Sequence, residues 1–201
     1  FIVENIRSAR RFLSKSGYAK AIDDATFVEL NEHTTSPTEI ARMIEPIKAG
    51  RSAGVISEAG VPAVADPGQA VVELCHKQNI RVVPLVGPSS ILMAVMASGL
   101  SGQSFAFNGY LPIKEPERSK SIKRLESRAR AEHQSQLFIE APYRNVKLFE
   151  QMLKSLNPDT RLCVATDITS KSEYIRTKTV AQWRQTSMPD IQKRPTIFII
   201  G

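Results

Sequence analysis

Short apolar runs alternate with amphipathic stretches through the first half of the chain, and this alternation restricts the fold more than any other feature. Strands that alternate with helices along a chain form a parallel sheet covered by helices on both faces. The sequence therefore predicts an α/β fold. The β-like runs are residues 26–30, 54–57 and 80–85, and the helical stretches are residues 6–14, 37–48, 69–77 and 91–98.

Turn and cap residues separate these segments. Ser36, Pro37 and Glu39 form the pattern of a capping box at the start of the second helix. Two strand-to-helix loops, residues 57–66 and 86–90, are rich in glycine, alanine, serine and proline. Ligands of open α/β sheets bind at loops that follow the carboxyl ends of strands, so both loops are candidate binding sites.

The second half has a less regular order of elements, with a predicted hairpin between residues 162–166 and 173–177. We place the division between two α/β domains at residue 107, which gives domains of residues 1–107 and 108–201. The other predicted strands are residues 105–111, 136–140 and 197–200, and the predicted helices are residues 114–130, residues 143–156 and a short helix around Trp183.

Composition excludes several classes of protein. The chain has 201 residues, of which 42% are hydrophobic and 23% charged, as expected of a globular protein. Residues 91–97, among the longest apolar runs, are far shorter than the roughly 18–20 residues that cross a bilayer. Cys75 and Cys163 are too few for a disulfide scaffold, which favours reduced thiols in a cytoplasmic protein. The net charge of +7 modestly favours a polyanionic partner.

The first residues, Phe1, Ile2 and Val3, have the pattern of the end of a buried strand. A strand at a raw terminus is unusual. We therefore expect that an earlier strand, with any site it carries, is missing from this sequence.

Common catalytic and metal motifs are not found in the sequence. His33, His76 and His133 are far apart, and none has a second histidine or cysteine at ligand spacing, so no metal site is predicted. In residues 57–62, Ala59 and Gly60 let a backbone approach a ligand closely, and Glu58 offers a carboxylate. An ordinary strand-to-helix turn explains the same loop, and Asp66 is most simply the N-cap of the next helix.

Residues 57–68, SEAGVPAVADPG, resemble the S-[DE]-A-G-x-P-x-x-x-D-P-G signature of the tetrapyrrole methylase family. Six further segments resemble one branch of this family, the branch that methylates a cytidine 2′-hydroxyl in 16S ribosomal RNA. They follow in the order of that branch at residues 4–7 (ENIR), 82–90 (VVPLVGPSS), 97–100 (ASGL), 107–114 (FNGYLPIK), 138–144 (FIEAPYR) and 165–173 (ATDITSKSE).

The resemblance implies an S-adenosylmethionine-dependent methyltransferase that binds its cofactor in a cleft between two α/β domains of a homodimer. It also implies an RNA substrate in the small ribosomal subunit, and a glycine-rich loop on an earlier strand. The cofactor-binding residues that it implies are Ser57, Glu58, Ala59, Gly60, Val61, Asp66, Ser89, Ser90, Pro195 and Thr196.

The chain departs from that branch mainly in substrate-facing loops. Tyr143 replaces a histidine, Asn5 and Ile6 replace aspartate and threonine, and residues 166–170 and 193–196 differ as well. Two alternatives therefore stay open. One is a methyltransferase for a tetrapyrrole or another small molecule, and the other is a catalytically inactive RNA-binding protein with the same fold.

Transfer of a methyl group to a ribose hydroxyl requires a positioned acceptor and a group that takes its proton. Glu140 is the candidate base, and an N-cap or an ion pair with Arg144 is the alternative. Lys114, Arg118 and Arg144 are candidate phosphate ligands, and Tyr143 is a candidate for stacking on a base. Residues 114–130 carry seven basic and three acidic residues, a run that indicates either an RNA-binding face or an ordinary solvated helix.

Overall fold

The computed structural model describes residues 1–18, 21–31 and 36–201, so His33 lies outside the described residues. Contacts between residues divide the chain into two compact units, residues 1–89 and 90–201. The sequence placed this division at residue 107, within what is one continuous strand, Phe105–Tyr110. The helix before that strand also packs within the second unit, which moves the division to residue 89.

The first unit contains the predicted parallel sheet. Its strands are two residues each and run in the order β2-β1-β3, with β1 in the centre. The elements are β1 (Ile2–Val3), α1 (Ile6–Lys15), a 3-10 turn (Ile22–Asp24), β2 (Val28–Glu29), α2 (Pro37–Lys48), β3 (Val55–Ile56) and α3 (Gln69–Lys77).

Local caps fix where these helices begin. The Asn5 side chain accepts a hydrogen bond from the Ser8 N–H at 3.1 Å at the start of α1. The predicted capping box is present, because Ser36 Oγ accepts from the Glu39 N–H and Glu39 accepts from the Ser36 N–H. The apolar sides of the elements then meet in one core, formed by Ile2, Leu30, Ile40, Met43, Ile44, Val71 and Cys75.

Two expectations for this unit were wrong. The N-cap of α3 is Gly68 rather than Asp66, because the chain makes a further turn at Gly68 (φ +135°) before the helix starts. Residues 80–85 form no strand, since they pair with no other strand of the described chain. Ile80 and Val82 still pack against the core, whereas Leu85 is 86% exposed.

The second unit contains a five-stranded mixed sheet in the order β4-β5-β8-β6-β7. Only β4 and β5 are parallel, and β6 and β7 form the predicted antiparallel hairpin. The elements are α4 (Ser90–Ser98), β4 (Phe105–Tyr110), α5 (Glu117–Glu132), β5 (Ser135–Ile139), a 3-10 turn (Pro142–Arg144), α6 (Asn145–Ser155), β6 (Arg161–Thr166), β7 (Tyr174–Thr179), α7 (Val180–Arg184) and β8 (Thr196–Ile200).

Strand β8 is buried on both faces, as its five apolar or β-branched residues require. Phe198 and Ile200 pack with residues of α5, α6 and α7, including Trp183, whose Nε1–H donates to the Leu162 carbonyl at 2.8 Å. Ile197 and Ile199 pack on the opposite face with residues of α4. The sheet therefore has a core on each side.

Cys75 and Cys163 are buried free thiols. Burial raises the pKa of both thiols. In the described part of the chain, no helix combines the length and the apolar character needed to cross a membrane.

Candidate functional site

The loop of residues 57–68 follows the carboxyl end of β3, and its backbone is tightly wound. Gly60, Ala63, Ala65 and Gly68 all have positive φ, at 71°, 67°, 59° and 135°. The alanines bear a cost of about 1–2 kcal/mol each for this conformation. A Cβ added at Gly68 would lie 3.3 Å from the Ala63 backbone nitrogen, so the two turns of the loop lie directly against each other. Backbone strain of this kind concentrates at ligand-binding sites.

Three carboxylates lie in or beside this loop: Glu58 and Asp66 belong to it, and Glu4 is next to it. Glu4, at the carboxyl end of β1, accepts a hydrogen bond from the Glu58 N–H at 3.0 Å. The Glu58 carboxylate in turn accepts from the Ser8 hydroxyl at the start of α1. Burial and the neighbouring negative charge of Glu4 raise the pKa of Asp66. This arrangement suits a ligand that supplies positive charge or hydrogen-bond donors.

The predicted loop residues lie together at one edge of the first sheet. Ser57, Glu4 and Pro67 line one recess with the ends of β1 and β3. Ala59 and Gly60 are exposed, and Val61 is half-buried. Glu4 was not among the predicted site residues, although a carboxylate directly after an apolar β-like run was the available signal.

The second predicted loop reaches the first one at Val61. A Cβ added at Gly87 would lie 3.9 Å from Val61 Cγ1, so the two loops are neighbours within the first unit. Ser89 is the half-buried last residue of that unit, and the exposed Ser90 begins α4 in the second unit.

Pro195 and Thr196 lie at the start of β8 in the second unit. Thr196 is buried, and its Oγ1 is 3.0 Å from both Thr166 Oγ1 and the Arg194 carbonyl oxygen. The carbonyl of the exposed Pro195 accepts from the Asp167 N–H at 2.9 Å. The Thr196 hydroxyl is therefore used inside the sheet, and Pro195 presents its ring to solvent.

Glu140 follows β5 and is engaged by arginine. Its side chain is 1% exposed, and its Oε1 accepts from Arg144 Nε at 2.9 Å and Nη2 at 2.7 Å. Its Oε2 lies 3.8 Å from Arg118 Nη2 and makes no hydrogen bond in the described structure. The hydrogen bond to Glu140 raises the pKa of Arg144. This geometry is the ion pair with Arg144, which was the alternative to a role for Glu140 as a catalytic base.

Arg118 is buried, with a relative exposure of 2%. Its Nε donates to the Pro112 carbonyl at 2.9 Å, and Nη2 donates to the Ile113 carbonyl. These bonds fix the loop between β4 and α5 and leave Arg118 little access to phosphate, contrary to its predicted role. Lys114, in the same loop, is exposed.

Exposed aromatic rings lie beside this network. Tyr143 is 60% exposed, and the Arg144 guanidinium carbon lies 4.7 Å from the centre of its ring. The Tyr143 hydroxyl accepts a hydrogen bond from Arg144 Nη1. Tyr110, at the end of β4, is 63% exposed. Sequence reasoning missed Tyr110, because nothing in its strand pattern showed that the ring faces solvent.

The fold and the wound loop define an α/β protein with a candidate ligand site at the carboxyl ends of a parallel sheet. The family model for Tetrapyrrole (Corrin/Porphyrin) Methylases matches residues 4–183. The chain belongs to this family.

Curated relatives with similar sequences are named ribosomal RNA small subunit methyltransferase I. The protein from Mesorhizobium japonicum is 32% identical over 177 residues, which are 88% of this chain and 57% of that protein. The protein from Haemophilus influenzae is 29% identical over 187 residues, which are 93% of this chain and 62% of that protein. The chain thus spans little more than half the length of these relatives.

Solved structures support the fold. The methyltransferase CobJ aligns with a TM-score of 0.61 and 16% identity, covering 100% of this chain and 82% of that chain. The cobalt precorrin-4 methyltransferase CbiF aligns with a TM-score of 0.57 and 14% identity, with the same coverage. At this identity the likeness concerns the fold alone.

Proposed function

We propose that the protein is an S-adenosylmethionine-dependent methyltransferase that acts on RNA. The observation that carries the proposal is the wound, carboxylate-lined loop of residues 57–68 in a chain of the tetrapyrrole methylase family. The resemblance of six further segments to the RNA-methylating branch supports the choice of substrate.

The chemistry of the loop fits this cofactor. S-adenosylmethionine carries a cationic sulfonium and an ammonium group, and its ribose hydroxyls are donors. Glu4, Glu58 and Asp66 supply negative charge and acceptors, and Gly60 has no side chain to block a close approach. When bound, the cofactor supplies the methyl group. In the first unit, the residues proposed to hold it are Ser57, Glu58, Ala59, Gly60, Val61, Asp66 and Ser89, with Glu4 added. Ser90, Pro195 and Thr196, in the second unit, stay predictions from the resemblance.

The surface around Arg144 suits an RNA substrate. Tyr143 and Tyr110 offer exposed ring faces, on which unstacked bases pack, and Lys114 offers a cation for phosphate. Arg144 lies against Tyr143 and is held by Glu140, so the ring and the charge are arranged before substrate arrives. We therefore assign Glu140 a positioning role, since its buried carboxylate already serves Arg144.

We also propose a homodimer in the cytoplasm, with the small ribosomal subunit as the target. Buried reduced thiols at Cys75 and Cys163 suit a reducing compartment. The apolar side chain of Met96 on α4 is exposed and is available to a partner copy. Sedimentation of the intact protein tests the assembly, because a purely monomeric protein at micromolar concentration would refute it.

Methyl transfer from tritiated S-adenosylmethionine tests the function. Intact protein is incubated separately with purified small ribosomal subunits and with a tetrapyrrole, and label is counted in each acceptor. Label in the RNA supports the proposal. Label in the tetrapyrrole alone would show that the substrate is a small molecule and not RNA. Cofactor binding without transfer to either acceptor would show that neither is the substrate. A protein that binds RNA but no cofactor would be the catalytically inactive alternative.

A further inference from the structure

Helix α5 has one face bound to the core and one covered by cations. Ile122, Leu125 and Ala129 are buried in the second unit. The buried Glu126 accepts hydrogen bonds from the Asn157 N–H at 2.7 Å and from the Thr160 hydroxyl. These contacts fix the orientation of the helix, so its opposite face is held permanently toward solvent.

The exposed face carries unneutralised positive charge. Of the seven basic residues predicted from the sequence, Arg118 is buried and Arg128 pairs with Glu132 at 3.0 Å. The remaining basic residues on the helix are all exposed and form no ion pair within the described structure: Lys120, Lys123, Arg124 and Arg130.

Two other helices each pair one cation with a carboxylate of the same helix, whereas Arg7 and Arg11 on α1 form no ion pair in the described structure, as on α5. Lys48 pairs with Glu45 at 2.8 Å on α2, and Lys77 pairs with Glu73 on α3. On α5, Glu117 lies three residues before Lys120 but forms no ion pair with it in the described structure, and the oxygens of Glu126 are already used by Asn157 and Thr160. Like charges at helical spacing repel each other by a few tenths of a kcal/mol, so this face is destabilising unless an anion meets it.

The spacing fits a nucleic-acid backbone. Lys120 and Arg130 are ten residues apart, which corresponds to about 15 Å along a helix. That length is long enough for the cations to meet several consecutive phosphates of a nucleic-acid strand. Lys114, in the loop between β4 and α5, adds an exposed cation between Tyr110 and this helix along the chain. The apolar side of α5 is already buried in the core, which argues against a membrane surface as the occupant.

We propose that the outer face of α5 binds the phosphate backbone of the RNA substrate and orients it toward the rings of Tyr110 and Tyr143. The inference rests on the proposed RNA substrate and adds a second, separate surface to it. Each cation that meets a phosphate releases a counterion, so the logarithm of affinity falls with the logarithm of salt by about 0.7 per contact on a single strand.

The test compares three forms of the intact protein: wild type, the triple variant K120Q/K123Q/R124Q, and R128Q. Arg128 lies on the same helix but is already paired, so R128Q is the matched control. Binding of a 30-nucleotide single-stranded RNA and of small ribosomal subunits is measured at several salt concentrations. Calorimetry with S-adenosylhomocysteine and circular dichroism check the cofactor site and the fold.

The triple variant is expected to lose at least tenfold in RNA affinity at low salt and about two units of the salt slope. R128Q should keep most of the RNA affinity and most of the salt slope. Cofactor binding should be unchanged in all three forms. Equal slopes for wild type and the triple variant would overturn the inference and leave the proposed function intact. Tighter binding to anionic vesicles than to RNA would also overturn it. If the wild-type protein binds cofactor but neither the 30-nucleotide RNA nor the small ribosomal subunits, both the proposed RNA substrate and this surface would be overturned.

Discussion

A single oxygen of Glu140, Oε1, lies within 2.9 Å of both Nε and Nη2 of Arg144, while Oε2 faces Arg118 at 3.8 Å. One buried carboxylate thus lies between two guanidinium groups, so its single negative charge leaves the cluster with a net positive charge. Arg144 is thereby held against the Tyr143 ring, and Arg118 is held under the loop that carries Lys114.

Glu140→Gln separates a positioning role from a catalytic one. The substitution leaves two arginines beside a neutral amide, and loss of one partner of a buried pair costs about 3–5 kcal/mol. If Glu140 positions Arg144, the variant should lower stability and RNA affinity, but methyl transfer should keep the pH dependence of the wild type. Thermal unfolding and a pH profile of kcat/KM measure these effects.

A catalytic base would give a different profile. Loss of the acidic limb of that profile in E140Q would show that Glu140 accepts the proton and would contradict the positioning role. Glu150→Gln is the control, because Glu150 is exposed on α6 and should change neither property.

Tyr143→Ala should weaken RNA binding by about 1–3 kcal/mol if a base stacks on the ring. Tyr143→Phe keeps the ring and loses only the hydroxyl that accepts from Arg144, so it should retain most of the affinity. Fluorescence anisotropy with labelled RNA compares the two variants. Equal losses in both would show that the hydroxyl, not the ring face, matters.

Gly68→Ala should abolish cofactor binding and destabilise the first unit by about 1–3 kcal/mol. A Cβ at this position meets the Ala63 nitrogen at 3.3 Å, in a backbone conformation that side chains rarely adopt. Gly60→Ala should destabilise the fold less, since its Cβ would meet nothing closer than Asp66 Oδ2 at 3.9 Å, although the added methyl would also obstruct the cofactor. Thermal unfolding of both variants checks this order of stability, and a larger loss of stability in G60A would contradict it.

Asp66→Asn should weaken cofactor binding by tenfold or more, because a hydrogen bond to a charged group is worth about 1.5–3 kcal/mol. The pKa of Asp66 is raised, so its ionised form opposes folding at neutral pH, and this penalty disappears as the pH falls below the raised pKa. D66N should therefore unfold at a slightly higher temperature at pH 7. Asp24→Asn, at an exposed position, is the control. A less stable D66N protein would contradict this account.

Asp167 gives the opposite pH dependence. Hydrogen bonds from Ser172 and Arg194 lower the pKa of Asp167, so its ionised form favours the folded state. That contribution is present above the ordinary aspartate pKa of about 3.9 and is lost as the pH falls through the lowered value. Asp167→Asn should lower the melting temperature at pH 7, and this difference should shrink as the pH is lowered below the ordinary aspartate pKa. A difference that stays the same at every pH would mean that the charge of Asp167 does not stabilise the fold.

Local signals in the sequence predicted most of the elements. The capping box at Ser36 and Glu39, the hairpin of β6 and β7, and the all-buried strand β8 each depend on neighbouring residues or on a simple apolar pattern. Residues 80–85 have the same apolar pattern and form no strand, because pairing needs a partner strand that no local pattern can reveal.

The candidate site was less predictable for the same reason. The loop of residues 57–68 could be placed from its small residues, but the positive φ values of Ala63 and Ala65 and the contact of Glu4 with Glu58 depend on the folded loop. Arg118 and Lys114 have the same charge in the sequence. Only packing shows that Arg118 is buried under carbonyl groups and that Lys114 is exposed.

Cofactor binding is the most direct test of the central claim. Intact wild-type protein and G68A are titrated calorimetrically with S-adenosylmethionine and S-adenosylhomocysteine. The account predicts micromolar binding of both compounds to wild type and none to G68A. Folded wild-type protein that binds neither compound would contradict the methyltransferase assignment.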